Sequence, residues 1–274
     1  ILIDGYIAKL INKKSNLLNV EKNKILQLEG IIDKNNNPTL CGVLNFGSLP
    51  QMFSPNLDIV AVKCATNVYG EENADGTRFI DNKRIDGTIS NILQQTLAFI
   101  QNNTKKSTYI NPNTGLREDR CEYPLKAIRE IILNALIHRD YSIFTENDPI
   151  RVEIYNDRIE ISNPGGLYGR LKIDELGKVK SDVRNPYIAS ILEILEVTEN
   201  RYSGIPTIYN EMKKAKLMAP KFENQRGVFK VTLYNEKRTN NRFADEIIDF
   251  CRKPRTKEVL AKQFGFDEKH PAYF

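Results

Sequence analysis

The strongest hydrophobic pattern of the chain lies just after Pro124. Apolar residues recur there at helical spacing, namely Leu125, Ile128, Ile131, Ile132, Ala135 and Leu136. Pro124 suits a first helical position because its φ angle is already fixed. The opposite stripe carries Lys126, Glu130, Asn134 and His138, about one turn apart. We predict a helix that is buried on one side and projects the Glu130 carboxylate and the Asn134 amide from one face.

A strand pair is predicted directly after this helix. Residues 150–155 and 158–163 alternate between apolar and polar side chains, and Asn156 and Asp157 have the composition of a turn. The second run ends in NPGG at residues 163–166. A polar helix stripe followed by a hairpin with a terminal double glycine indicates a nucleotide site.

The remaining pattern predicts further elements on both sides of this central stretch. Before it we expect two helices within residues 1–30, a β-rich run at 39–47, strands at 57–65 and 77–85, a helix at 89–101 capped by Thr88, and a hairpin or loop at 109–123. After it we expect a loop at 167–185 suited to act as a lid, helices beginning at Asn185-Pro186 and Ser203-Gly204, a strand at 227–235 and helices from 241 onward.

Composition narrows the class of protein. A 274-residue chain with 41% hydrophobic residues can bury sizeable cores in about two domains. The net charge of +5 is compatible with nucleic acid or nucleotide phosphates but does not demand either. Four scattered cysteines and two histidines predict free thiols and no zinc cluster. No segment is apolar enough to span a bilayer, so we expect no membrane and a cytoplasmic location.

Five segments together carry a resemblance to a known family: PTLCGVLNFG, AIREIILNALIHRDYS, RIEISNPGGL, RNPYIASIL and NRYSGIPTI. Their order, over most of residues 38–274, resembles bacterial transcription regulators and ATP-binding proteins, often labelled helicase-related. These proteins have a Schlafen/AlbA-type N-terminal domain, a GHKL-type (Bergerat-fold, histidine-kinase-like) ATPase-like domain and a C-terminal winged helix. The P-loop sequence of a helicase motor is missing from the chain.

The resemblance implies roles for the helix stripe and for the NPGG loop. Glu130 and Asn134 match a Glu-x-x-x-Asn motif, in which the asparagine helps to hold Mg²⁺ with the phosphates and the glutamate activates water. Asn163, Gly165 and Gly166 match the adenine-side loop, where family members have an acid. An amide at this position accepts a hydrogen bond without charge assistance.

A second group of residues is implied on the phosphate side. Ser203 and Gly204 match the second glycine-rich box, next to Tyr202 where a glycine is usual. Lys178, Lys180 and Arg184 fall in the predicted lid and could reach the phosphates. Each assignment has a simpler alternative: a solvated helix face for the stripe, an ordinary turn for NPGG and a solvated loop for the lid residues. For His138, Arg139 and Asp140, interaction with the dipole of the helix C-terminus is favoured over catalysis.

The resulting expectation is an α/β (α+β) protein with a GHKL-like two-layer sandwich. We expect a helical connector at 1–36, a small α/β unit at 37–118, the ATPase-like domain at 119–236 and a truncated winged-helix start at 240–274.

The expected function is ATP-responsive transcription regulation with ATP and Mg²⁺, DNA bound through domains present only in part, and at most weak ATPase activity. A homodimer is compatible with this picture. The alternative is a degenerate, non-hydrolysing scaffold for interaction or dimerisation. Since residue 1 is isoleucine, we expect a longer protein.

Overall fold

The structure is a computed structural model that describes residues 2–110, 115–179, 182–198, 204–237, 256, 259, 260 and 263. The chain divides into two compact units, Ile1–Glu236 and Lys237–Phe274. In the second unit Val259, Leu260 and Gln263 are helical. The predicted winged-helix start otherwise lies outside the described residues.

A six-stranded mixed sheet with helices packed against it forms the first unit. The helices are α1 (Leu2–Lys13), α2 (Lys22–Leu28), α3 (Leu40–Phe46), α4 (Ile89–Asn102), α5 (Leu125–His138), α6 (Pro186–Ile194) and α7 (Gly204–Lys214). The strands are β1 (Ile59–Cys64), β2 (Phe79–Ile85), β3 (Lys106–Ile110), β4 (Arg117–Cys121), β5 (Ile150–Ile154), β6 (Arg158–Pro164), β7 (Lys221–Gln225) and β8 (Val228–Tyr234). The strand order is β2-β1-β5-β6-β8-β7, whereas β3 and β4 form a separate hairpin. The predicted α+β sandwich is confirmed.

Alternation along the central strands places the main core on one face of the sheet. In register, Val152 of β5 lies opposite Ile161 of β6, which lies opposite Val231 of β8. All three are buried in one cluster with apolar residues of α4, α5, α6 and α7. A second cluster joins α1 and α2 to α6, with Tyr6 and Ile191 fully buried.

Strands from both sides of residue 118 belong to the same sheet. β1 pairs in parallel with β5, with Ile59 opposite Ile150, and all the other neighbouring strands pair antiparallel. The segments 37–118 and 119–236 therefore share one sheet and one core.

The segment TLCGVLNFG is a helix, so the prediction of a β-rich run at 39–47 was wrong. Thr39 caps α3 by accepting a hydrogen bond from the backbone N–H of Gly42 at 3.0 Å. Gly42 packs against the carbonyl oxygen of Ile31 so closely that a Cβ there would overlap it. A short apolar run without clear periodicity does not distinguish a buried helix from a strand, and here the threonine cap and this backbone contact decide for the helix.

Most other elements agree with the prediction. The hairpin of β5 and β6, α4 with its Thr88 cap, and the strand at β8 are confirmed. Pro124 differs slightly, since it is the cap residue before α5 and not its first residue. The edge strand β7 was missed. Cys41, Cys64 and Cys121 are free thiols. Among the described residues, none of the helices has the length and apolar character needed to cross a membrane.

Candidate functional site

A pocket lies between α5 and the ends of strands β6, β7 and β8. One face of α5 forms its first wall through Ile131, Asn134, Ala135 and His138, which follow the i, i+3, i+4, i+7 spacing of one helix face. The sheet forms its second wall through Ile161, Asn163, Phe222, Phe229 and Val231. Asn163 lies opposite Phe229 in the ladder, two residues beyond the Ile161 and Val231 pair and so on the same face of the sheet. The walls are therefore extensions of the main hydrophobic core.

The loop after β6 and the start of α7 close the remaining sides. The loop contributes Leu167, Tyr168, Leu171, Leu176 and Asp182, and α7 contributes Ile205 and Ile208. The space between the walls, including the open mouth, is about 730 Å³. Small-molecule sites are mostly apolar with a few placed polar groups, and the lining of this pocket has that character.

Two amide side chains provide polar atoms inside this apolar pocket. Asn163 is 4% exposed, and its Oδ1 atom is buried without a hydrogen-bond partner. The Nδ2 atom of Asn134 is likewise buried and unpartnered. Buried polar atoms of this kind are usually paired, because leaving one unpaired costs about 1–3 kcal/mol. A ligand with both donors and acceptors at its edge would satisfy them.

Glu130 and Asn134 lie next to the first residue of α7. A Cβ placed on Gly204 would be 3.0 Å from both Glu130 Oε2 and Asn134 Nδ2. The carboxylate and the amide are therefore close to one another and to the positive end of an 11-residue helix. Asn134 is partly buried in the pocket, so the stripe is not a fully solvated helix face.

The NPGG loop is held in place by backbone contacts. Gly165, with φ +112°, donates its N–H to Gly227 O at 2.7 Å. Gly166, with φ +56°, lies against Asn224, whose Oδ1 accepts the N–H of Leu167 at 3.1 Å. Positive φ angles of this kind favour glycine at both positions. The double glycine is thus part of a defined wall of the pocket.

Arg184 contacts this loop and does not line the pocket. Its Nη2 donates to Gly165 O at 2.5 Å and lies 3.4 Å from Gly166 O. Two other expected residues, Lys180 and Ser203, lie outside the described residues, as does Tyr202. Asp182 is the only charged side chain among the described lining residues.

Sequence reasoning missed several lining residues. His138 was placed on the same helix stripe as Asn134, but it was assigned to the helix dipole and not to the pocket that it lines. Phe222 could not be placed because β7 was not predicted. The loop residues Tyr168 and Leu176 gave no periodic signal at all.

His138 is held neutral in the folded protein. Burial, and then the positive charge of Arg184, lower its pKa from 6.5 to about 4. Among the described residues, Asp182 lines the same pocket and Asp140 lies 3.9 Å from the guanidinium of Arg184. A neutral imidazole can donate and accept one hydrogen bond each.

We expect His138 to make the protein less stable as the pH falls from about 6.5 towards 4. In that pH range His138 binds a proton in the unfolded chain but stays neutral in the folded state. The free energy of unfolding therefore decreases as the pH falls. Between pH 7.5 and pH 5 the free energy of unfolding of His138→Gln should fall by about 1–2 kcal/mol less than that of wild type, as measured by urea unfolding. His270→Gln, which removes the chain's other histidine, is the comparison variant. An unchanged pH dependence in His138→Gln would contradict the neutral assignment.

The described residues contain no group of three or more His, Cys, Asp or Glu side chains suited to hold a metal ion. Glu130 and Asn134 alone form a sparse set of oxygen ligands. Mg²⁺ is commonly held by one or two protein oxygens together with substrate phosphates and water. The residues present therefore fit Mg²⁺ only in combination with a phosphate ligand.

Comparison with known proteins links this region to an ATPase-like family. Residues 147–233 match the family model described as "Putative ATP-dependent DNA helicase recG C-terminal". This match contains Asn163, Gly165 and Gly166 but covers less than half of the chain, and Glu130 and Asn134 precede it. No curated protein matches the chain.

A solved structure shares the fold. The DIP2311 protein from Corynebacterium diphtheriae aligns with a TM-score of 0.61 at 18% sequence identity. The alignment covers 95% of this chain and 54% of that protein, so this chain spans about half of its length. The likeness of fold extends over nearly the whole chain, and residues 147–233 are similar to an ATPase-like family.

Proposed function

We propose that the pocket binds a purine nucleotide, with ATP as the expected ligand and the base between α5 and the sheet. The observation that carries this proposal is the pair of buried, unpartnered amide atoms, Asn163 Oδ1 and Asn134 Nδ2, in an otherwise apolar pocket. A purine has two apolar faces to cover the walls and an edge with a donor for Asn163 Oδ1, while an acceptor on the phosphate side would meet Asn134 Nδ2. The match of residues 147–233 to an ATPase-like family supports this choice.

The phosphates are proposed to lie towards Glu130, Asn134 and the start of α7. Asn134 would hold Mg²⁺ through its amide oxygen, and bound Mg²⁺ would neutralise phosphate charge. Glu130, whose Oε2 atom lies by Gly204, would orient a water molecule and accept its proton. The backbone at the α7 N-terminus favours negative charge.

We propose further that nucleotide binding regulates transcription in the cytoplasm, with DNA bound through flanking domains and a homodimer as the working form. The support for this part is the order of the sequence motifs. Such regulation requires two arrangements of the flanking domains. Nucleotide can shift the balance between them only if it binds one arrangement more tightly than the other.

A specific observation favours a second candidate, a nucleotide-binding scaffold that does not hydrolyse. Neither lysine nor arginine occurs among the described lining residues, and the guanidinium of Arg184 donates its hydrogen bonds to loop carbonyls. Phosphoryl transfer usually requires positive groups on the leaving phosphates. Phosphate release under saturating ATP separates the two candidates.

We expect Asn163→Leu to lower the affinity for ATP and for adenosine about tenfold or more, because it removes hydrogen bonds to the base only. Asn163→Asp keeps an acceptor at the same position and should retain binding. Calorimetric titration of each variant with both ligands measures this. Asn82→Leu, a change at an exposed position of β2, is the matched control.

The proposal fails if wild type shows no saturable binding of any purine nucleotide. It fails equally if Asn163→Leu binds as well as wild type while remaining folded. If Asn163→Leu binds ATP more weakly but adenosine as well as wild type does, the base does not lie beside Asn163.

A further inference from the structure

Arg184 joins two points of the chain that are far apart in sequence. The chain leaves β6 at the NPGG loop and covers the pocket with residues 167–179, which we call the covering loop. Arg184 lies 19 positions after Gly165, and its guanidinium donates to the carbonyl oxygens of both Gly165 and Gly166. The Arg184 side chain therefore links the segment that follows the covering loop to the glycines that precede it.

The contact is tight and mostly buried. The Arg184 side chain is 13% exposed, and a Cβ on Gly165 would overlap its Nη1 atom. Its guanidinium carbon also lies 5.1 Å from the ring centre of Tyr168, a residue of the covering loop that lines the pocket. Arg184 thus contacts both the wall and the cover of the pocket.

The next residue anchors this junction to the opposite wall. Asn185 Nδ2 donates to Ile137 O and to Arg139 O, both at 2.8 Å. These carbonyls lie at the C-terminal end of α5, where helical carbonyl groups lack partners within the helix. The same end of α5 carries His138, which lines the pocket.

We propose that Arg184 and Asn185 are positioning residues that hold the covering loop and both walls of the pocket in one arrangement. Nη2 donates to both carbonyl groups while the planar guanidinium also lies near the Tyr168 ring, and a lysine ammonium does not reproduce this combination. The effect on nucleotide affinity rests on the function proposed above. The effect on the covering loop does not, because these contacts exist without ligand.

The test compares Arg184→Lys and Arg184→Gln with Arg170→Gln, which changes an exposed arginine of the covering loop itself. Hydrogen–deuterium exchange is measured on peptides from the covering loop, from α5 and from β6, without ligand. We expect exchange in the covering loop to rise about tenfold or more in Arg184→Gln and less in Arg184→Lys, whereas α5 and β6 keep their protection. Arg170→Gln should behave as wild type.

Nucleotide affinity is measured on the same proteins. If the wild type binds ATP, Arg184→Gln should bind it about tenfold more weakly, with partial recovery in Arg184→Lys. If the wild type binds no nucleotide, the proposed function fails while the exchange data still decide this inference.

Two exchange results would overturn the positioning role. Unchanged exchange of the covering loop in Arg184→Gln would show that the guanidinium does not hold it. A parallel rise in the loop, α5 and β6 would show that Arg184 supports only the global stability of the fold. Asn185→Asp, which removes the amide donor but keeps the side-chain size, repeats the test from the α5 side.

Discussion

An alanine at position 165 is expected to reduce the free energy of unfolding by about 3 kcal/mol or more. Gly165 has φ +112°, where a side chain costs about 1–2 kcal/mol. An added Cβ would also overlap Arg184 Nη1 and the Cβ of Asp140, and overpacking adds about 1–3 kcal/mol. Relief of this overlap requires Arg184 to leave the loop carbonyls. Affinity for nucleotide should therefore fall together with stability, as measured by urea unfolding and calorimetric titration.

Gly76→Ala is the matched control for backbone strain. Gly76 has φ +84°, and no heavy atom lies within 4 Å of an added Cβ. In Gly76→Ala the free energy of unfolding should fall by only about 1–2 kcal/mol, and the affinity for nucleotide should not change. Equal losses in the two variants would mean that the contact between Gly165 and Arg184 contributes nothing beyond the φ angle.

The elements with strong periodicity could be predicted from the sequence. The hairpin of β5 and β6 alternates cleanly because one face of each strand is buried in the core, with Val152 and Ile161 opposite each other. Helix α5 was evident from its apolar stripe. The strand pattern results from burial of one face of the hairpin. Helix α5 is buried more extensively than its stripe predicts, because Leu133 and Ile137 are buried as well.

The pairing of β1 with β5 could not be predicted. The two strands are parallel, with Ile59 opposite Ile150, and 85 residues separate β1 from β5. Periodicity reports which face of a strand is buried but not which strand lies beside it. Strand β7 was missed for a related reason: it is a polar edge strand, KFENQ, whose place depends on β8.

The candidate site was predicted in part. The helix stripe predicts that Glu130, Asn134 and His138 lie near one another, because helical spacing is a local property. The contact of Arg184 with Gly165 was not predictable, since it depends on how the covering loop returns to the sheet. From sequence, Arg184 was expected to reach phosphates. In the structure its guanidinium donates to backbone carbonyls of the NPGG loop, and its role towards phosphates stays a prediction.

The second large effect is expected at Asn134 and Glu130, which differ in what each would do for bound ATP. Asn134→Ala should remove the Mg²⁺-dependent part of the affinity, because it removes the amide oxygen proposed to hold the ion. Its folding cost should be about 1 kcal/mol or less, since Nδ2 has no hydrogen-bond partner to lose. Titration with ATP in the presence and in the absence of Mg²⁺ measures the first effect, and urea unfolding measures the second.

Glu130→Gln keeps the size and hydrogen-bonding capacity of the side chain but removes the base. Binding of ATP should stay within about threefold of wild type, while hydrolysis falls about a hundredfold or more. Phosphate release over hours at saturating ATP measures the loss. Lys126→Gln, one turn earlier on the same stripe and exposed, is the control for removing a charge from α5.

These two variants also decide between the ATPase and the scaffold. A wild type that binds ATP but releases no phosphate, with Glu130→Gln indistinguishable from it, would favour the scaffold, because no base is then in use. Loss of ATP binding in Glu130→Gln would contradict the proposed division of roles, since a missing base should not weaken the ground state.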